Sequence, residues 1–310
     1  MIQRALAVIL AASVLPVAAG AAFEQPSPRA VTLGAETAKI PTQRSALASA
    51  ERSTEGNSVT VAGPLAAMGT PATVERAKPK PEGGACSAGM VLVQGEYCTE
   101  VRHSCKRWLD DEKLQYARCA EYEQPARCVG KRASLRFCID REEYTPPGAD
   151  VPMNQASFVT ASKVCKDLGK RICTESEWNF ACEGEQMLPY PYGIKREAKC
   201  NQDRPAEDLY DPTNKKFQVL ADRRMPNGGN PECVSPFGVY DMVGNLDEPV
   251  LREEARFAYP YRNGLKGGWW MPARNRCRPA TTKHDDHYKD IQVGVRCCGD
   301  APGTDSSAKG

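Results

Sequence analysis

The sequence predicts an α+β domain with little regular secondary structure and many disulfides, and three observations carry that prediction. All 14 cysteines of the 310-residue chain fall between Cys86 and Cys298. Two segments with helical spacing lie in the middle of that span. The rest consists of short strand-like runs broken by Gly and Pro. The net charge of +2 offers no strong field, and without a basic patch to neutralise phosphates no nucleic-acid partner is expected.

The chain opens Met1-Ile2-Gln3-Arg4, runs apolar from Ala5 to Val17, and continues with Ala18-Ala19-Gly20-Ala21-Ala22. That pattern reads as a secretory signal peptide over residues 1–21, with cleavage near Ala21. The apolar run is too short to span a bilayer, no later segment replaces it, and no cysteine follows it to carry a lipid. The mature protein is therefore expected to be soluble, without a membrane span, and secreted or periplasmic. In such a compartment an even cysteine count indicates disulfides first, and thiol chemistry or zinc only second.

Residues 22–84 read as a disordered Ala/Thr/Pro-rich tether. From Glu24 to Gly84 there is no Cys, Phe, Tyr or Trp, so nothing offsets the entropy of ordering the segment. Lys78-Pro79-Lys80-Pro81 stiffens its end. A passive spacer is the plain expectation, and a partner-binding tail is the alternative. The folded domain is placed at residues 85–300, and residues 301–310 read as a disordered tail.

Within the domain, Met90 to Val93, Tyr97-Cys98 and Phe137 to Ile139 read as short strands. Cys86, Cys98, Cys105, Cys119, Cys128 and Cys138 are expected to close local loops, but six cysteines allow fifteen pairings and the spacing does not choose. Phe158, Ala161, Cys165 and Leu168 recur at helical spacing, Ser157 is a plausible N-cap, and Gly169 can stop that helix. A second helix follows the capping box Thr174-Glu175-Ser176-Glu177, with Trp178, Ala181 and Cys182 facing inward and Gly184 as its end. Beyond it, Pro189, Pro191, Gly193, Pro205, Pro212, Pro226, Gly228 and Gly229 punctuate a run of turns.

The segment Phe237 to Glu248 has the chemistry of a binding loop. Phe237, Val239 and Tyr240 can anchor it, while Gly238 and Gly244 permit backbone conformations that a side chain obstructs. Asp241 and Glu248 bring two carboxylates together with intervening carbonyls, a hard oxygen set suited to calcium. A tight surface turn carrying solvated acids is the other reading of the same residues.

Five ordered blocks carry a family resemblance: Lys170 to Trp178, Pro191-Tyr192-Gly193, Phe237 to Glu248, Lys266-Gly267-Gly268-Trp269, and Gly294-Val295-Arg296-Cys297. Together they resemble the sulfatase-modifying-factor family, the formylglycine-generating enzyme domain. The resemblance implies a compact C-type-lectin-like α+β fold held by disulfides and calcium. It also implies two bridges, Cys165 to Cys297 and Cys182 to Cys277. Carried over position by position, it gives calcium ligands at the side chains of Asp241 and Glu248 and the backbone oxygens of Gly244 and Leu246. A second calcium site of the family would begin near Asn201 and Gln202.

Catalytic members oxidise a cysteine of a sulfatase peptide with a copper ion held by two thiolates, which lie shortly after the Gly-Gly-Ser-type turn. Here that turn is Gly267-Gly268-Trp269-Trp270-Met271, and Pro272 stands where the first active cysteine would be. Proline cannot ligate copper, so copper is not expected, and Cys277 is the second active cysteine only if the two segments align without a gap. The family segment Gly-Asn-x-Trp-Glu-Trp appears as Gly244-Asn245-Leu246-Asp247-Glu248-Pro249, which keeps the acid and loses both aromatics.

These residues predict a non-catalytic, calcium-stabilised binding or structural module. A formylglycine-generating oxidase using Cys277 is the alternative. Trp269 and Trp270 border the former active groove and are candidates to hold a peptide or glycan, with core packing as the plainer fate of both. His284-Asp285-Asp286-His287 could form a transition-metal site if the loop turned its side chains together, and is otherwise a solvated connection.

Overall fold

A computed structural model describes residues 85–214, 219–254, 256–273 and 275–302. The predicted signal peptide, the tether and nearly all of the tail lie outside them. The strands are β1 (Met90–Cys98), β2 (Val101–Arg102), β3 (Cys105–Trp108), β4 (Cys119–Tyr122), β5 (Arg127–Cys128), β6 (Arg132–Asp140), β7 (Arg171–Ile172), β8 (Glu248–Leu251), β9 (Asn263–Lys266), β10 (Ala280–Thr281) and β11 (Cys297–Asp300). The two helices are α1 (Phe158–Asp167) and α2 (Glu175–Glu183), and a 3-10 turn covers Ala206–Asp208. Among the described residues no helix is long and apolar enough to cross a membrane.

The central sheet has the order β1-β6-β11-β7. β1 and β6 pair antiparallel over their whole length, from Met90 opposite Asp140 to Cys98 opposite Arg132. Alternation turns Val93, Tyr97, Phe137 and Ile139 into one core, where they meet Trp178, Phe180 and Ala181 of α2. The sequence reads two strands where the structure has one. Gly95 carries the chain through at φ +149, because a Cβ there would meet Glu185 Oε1 at 2.4 Å. A second sheet, β10-β9-β8, sets Glu248 opposite Lys266.

The excursion between β1 and β6 forms two small hairpins, β2 with β5 and β3 with β4. Three disulfides in and around this part of the chain nest inside one another: Cys86–Cys138, Cys98–Cys128 and Cys105–Cys119. Nesting is what stacked antiparallel pairing produces, since it brings residues of progressively smaller separation face to face.

Both helices begin as predicted. Ser157 Oγ accepts from Thr160 N at 3.1 Å, and Thr174 and Glu177 form the reciprocal capping box at 3.3 and 2.9 Å. α1 ends one residue before Leu168, which is exposed rather than inward, because the chain turns there through Gly169 at φ +69 and Lys170 N–H returns to Cys165 O. Adjacent cysteines on β11 face opposite ways. Cys297 therefore bonds Cys165 of α1 while Cys298 bonds Cys173. With Cys182–Cys277 and Cys200–Cys233, all 14 cysteines are paired.

Candidate functional site

The Phe237–Glu248 segment is pinned from both ends. Phe237 packs edge-on against Phe180 at 5.1 Å, and Val239, Met242 and Val243 are fully buried. Between these anchors the backbone takes left-handed conformations at Asp241, Gly244 and Asn245. Gly244 has no alternative, since a Cβ would stand 2.4 Å from Asn201 O. The segment is not a solvated surface turn: Asp241 and Glu248 are 3% and 1% exposed.

Glu248 already has partners. Arg296 Nε donates to its oxygens at 2.8 and 2.9 Å, and Trp178 Nε1 donates at 2.6 Å. Arg296 is itself fully buried and also donates to the carbonyls of Asp140 and Tyr240. A third buried acid, Glu143, stands close by and escapes sequence reasoning, because it follows β6 in no periodic pattern. Its carboxylate accepts from Asn245 Nδ2 and from Leu246 N–H. Burial, followed by the charges of Asp241 and Glu248, pushes Glu143 well above the ordinary carboxylate range. Burial likewise raises Asp241, against the opposing pull of Arg296.

This donor set suits a hard divalent cation in its chemistry. It holds oxygen only, carries more buried acid than Arg296 balances, and among the described residues no backbone N–H donates to the carbonyls of Gly244 and Leu246. Among the described residues no three Asp, Glu, His or Cys side chains converge as a metal cage. An ion here would therefore rest on Asp241, Glu248 and the two carbonyls, with Glu248 sharing its oxygens with Arg296. The region of Asn201 and Gln202 differs. Asn201 Oδ1 accepts from Arg204 at 2.7 Å, and Gln202 Nε2 donates to Tyr192 Oη at 2.8 Å, so those side chains serve as structural ties.

Gly267, Gly268 and Trp269 form a wall of a cavity of about 620 Å³, shared with Asp247, Asn275, Arg276 and the 279–284 segment. Both glycines have positive φ, and a Cβ on Gly268 would overlap Asn275 Oδ1. That close approach aims Gly268 N–H at Asp247 Oδ1, 3.1 Å away. Asp247 is raised to about 7, mainly by burial. Trp269 is half-buried and lines the cavity. Trp270 does not: it is fully buried among Leu209 and Leu246, so of the two candidate ligand-binding tryptophans only Trp269 is placed for that role.

Pro272 is exposed. Cys277 is fully buried and bonded to Cys182, so the structure places it in a staple from α2 to the C-terminal segment. The acids and imidazoles of residues 284–287 do not converge. His284 stacks on Tyr288 at 3.6 Å, His287 lies against Tyr259, and buried Asp286 binds Arg262 and Asn263. Aromatic and guanidinium partners thus take the groups that a transition metal would need.

Comparison with known proteins agrees with the residues. Residues 45–301 match the sulfatase-modifying factor enzyme 1-like domain, a span that begins within the stretch read as tether. The chain is 26% identical over 224 residues to hercynine oxygenase of Mycobacterium tuberculosis (strain ATCC 25618 / H37Rv), covering 66% of this chain and 49% of that protein, so it spans about half the length of that relative. Similar solved structures include CarF, with a TM-score of 0.44, 14% identity and coverage of 68% of this chain and 97% of that one. Another is PvdO from Pseudomonas aeruginosa, with a TM-score of 0.40, 16% identity and coverage of 68% and 94%. On the match over residues 45–301, the chain belongs to the sulfatase-modifying factor enzyme 1-like domain family.

Proposed function

We propose that this chain is an exported member of its family that has lost the copper-thiolate oxidase chemistry and serves as a calcium-stabilised binding or structural module. One observation carries the reading: every cysteine is in a disulfide, including Cys277, while Pro272 stands where the resemblance places the first active cysteine. A copper-thiolate centre needs two deprotonated sulfurs side by side, and a disulfide sulfur has no such electron pair to offer as a thiolate. Seven disulfides also fit an oxidising compartment outside the cytoplasm. Calcium would compensate the charge of Asp241 and hold the Gly244–Glu248 backbone in place. The cavity beside Trp269 is the ligand-binding surface, for a peptide or a glycan.

The test is incubation of purified protein with a sulfatase-type Cys-x-Pro-x-Arg peptide, with and without copper(I), followed by mass spectrometry of the peptide. An unchanged thiol is expected. Copper-dependent conversion to the aldehyde, abolished by Cys277→Ser, overturns the proposal and establishes the oxidase.

A further inference from the structure

Four of the buried acids have a cationic partner, whereas Glu143, Asp241 and Asp247 have no ion pair among the described residues, and of these three only Asp247 lines the cavity beside Trp269. Glu183 pairs with Arg278, Glu248 with Arg296, Asp286 with Arg262 and Asp140 with Lys170. Glu143 accepts two hydrogen bonds. Asp247, only 7% exposed, has the Gly268 N–H and no cationic partner among the described residues. The charged neighbour that acts on it is Glu248, another acid. Its backbone is fixed from both sides, N–H to Gln292 O and C=O to Gly294 N–H, each at 2.8 Å, which holds its Cα at the cavity.

Asp247 lines the cavity, and it stands where the family segment Gly-Asn-x-Trp-Glu-Trp has its first tryptophan. Exchanging an indole for a carboxylate removes volume and adds a negative charge at the same point. A buried carboxylate with one donor is costly unless a cation completes it. Trp269 lines the same space, and an aromatic side chain together with a carboxylate favours an amine or guanidinium. Arg276, tied to Tyr122 Oη at 2.9 Å, and exposed Lys283 lie on the cavity wall without pairing with Asp247. They repel a polycation and leave room for a ligand whose remaining parts are neutral or anionic.

We propose that this cavity binds a ligand through a single amine or guanidinium group, with Asp247 as its counter-ion and Trp269 as its aromatic wall. The inference rests on the reading of this cavity as a binding surface. Titration calorimetry with N-acetyl-arginine amide and its uncharged isostere N-acetyl-citrulline amide tests it. Wild-type protein is expected to bind the guanidinium probe at least about tenfold more tightly than the urea probe. Asp247→Asn, which keeps an acceptor for Gly268 N–H, is expected to erase that difference while its melting transition stays cooperative. Equal affinity for the two probes in wild type overturns the cation inference and leaves the binding surface standing. Failure of the arginine probe to bind at about 10 mM overturns it as well. The wild-type comparison needs no variant, so it decides the inference even where Asp247→Asn fails to fold.

Discussion

Replacing Glu248 with Gln removes one charge from the most buried ion pair of the domain. Arg296 and Glu248 are 0% and 1% exposed at their side chains, and three nitrogen-to-oxygen contacts join them at 2.8 to 2.9 Å. Gln can still accept from Trp178 Nε1, so that hydrogen bond survives and the lost quantity is the charge opposite Arg296. Breaking a buried pair on one side costs about 3 to 5 kcal/mol, because the remaining ion is left without compensation. For a domain of roughly 200 residues, that loss lowers Tm by about 6 to 20 °C. Differential scanning calorimetry in chelator, with the disulfides intact, reads this loss without any contribution from calcium. A drop of less than about 2 °C would refute the claim that this pair organises the meeting of β8, β11 and the Asp241 loop.

Three further outcomes follow. Wild-type protein should melt higher in calcium than in chelator, by about 2.7 kcal/mol at a free concentration a hundredfold above the dissociation constant, and Asp241→Asn should lose that gain; equal Tm values in wild type reject the site. Removing the Cys182–Cys277 bridge with a double Ser substitution opens a 95-residue separation and should cost about 4 to 5 kcal/mol by chain entropy, read from the denaturant midpoint. His103 is half-buried, donates from Nε2 to Met187 O at 2.7 Å, and is lowered to about 4, mainly by desolvation. Its folded value lies below the unfolded value of about 6.5, so the unfolded chain takes up the proton first. Stability should therefore fall as pH drops from about 6.5 towards 4, by no more than about 3 kcal/mol from this group. His103→Gln should flatten that slope, and an unchanged slope assigns the effect elsewhere.

Capping residues make the helices legible in the sequence, because Ser157 and Thr174 act on their own turns and need no distant partner. The long-range bridges Cys165–Cys297 and Cys182–Cys277 are accessible only through family resemblance. The nested N-terminal three are not accessible at all, since their order depends on which strands pair. Leu168 misleads because a helical period extends past a helix end that backbone geometry at Gly169 decides. The candidate site is half visible. Asp241 and Glu248 can be named, but Glu143 and Arg296 join them from 98 and 48 residues away in sequence, taking Asp241 to Glu143 and Arg296 to Glu248, and no local pattern marks that meeting. Asp247 reads in sequence as a lost aromatic, and only the cavity shows what the loss leaves behind.

No thiol remains in the domain to form a copper centre, and alkylation of the denatured, unreduced protein followed by intact-mass measurement tests this directly. No adduct is expected before reduction and 14 are expected after it. An adduct on Cys277 before reduction, with Cys182 also labelled, would contradict the proposed loss of copper-thiolate chemistry.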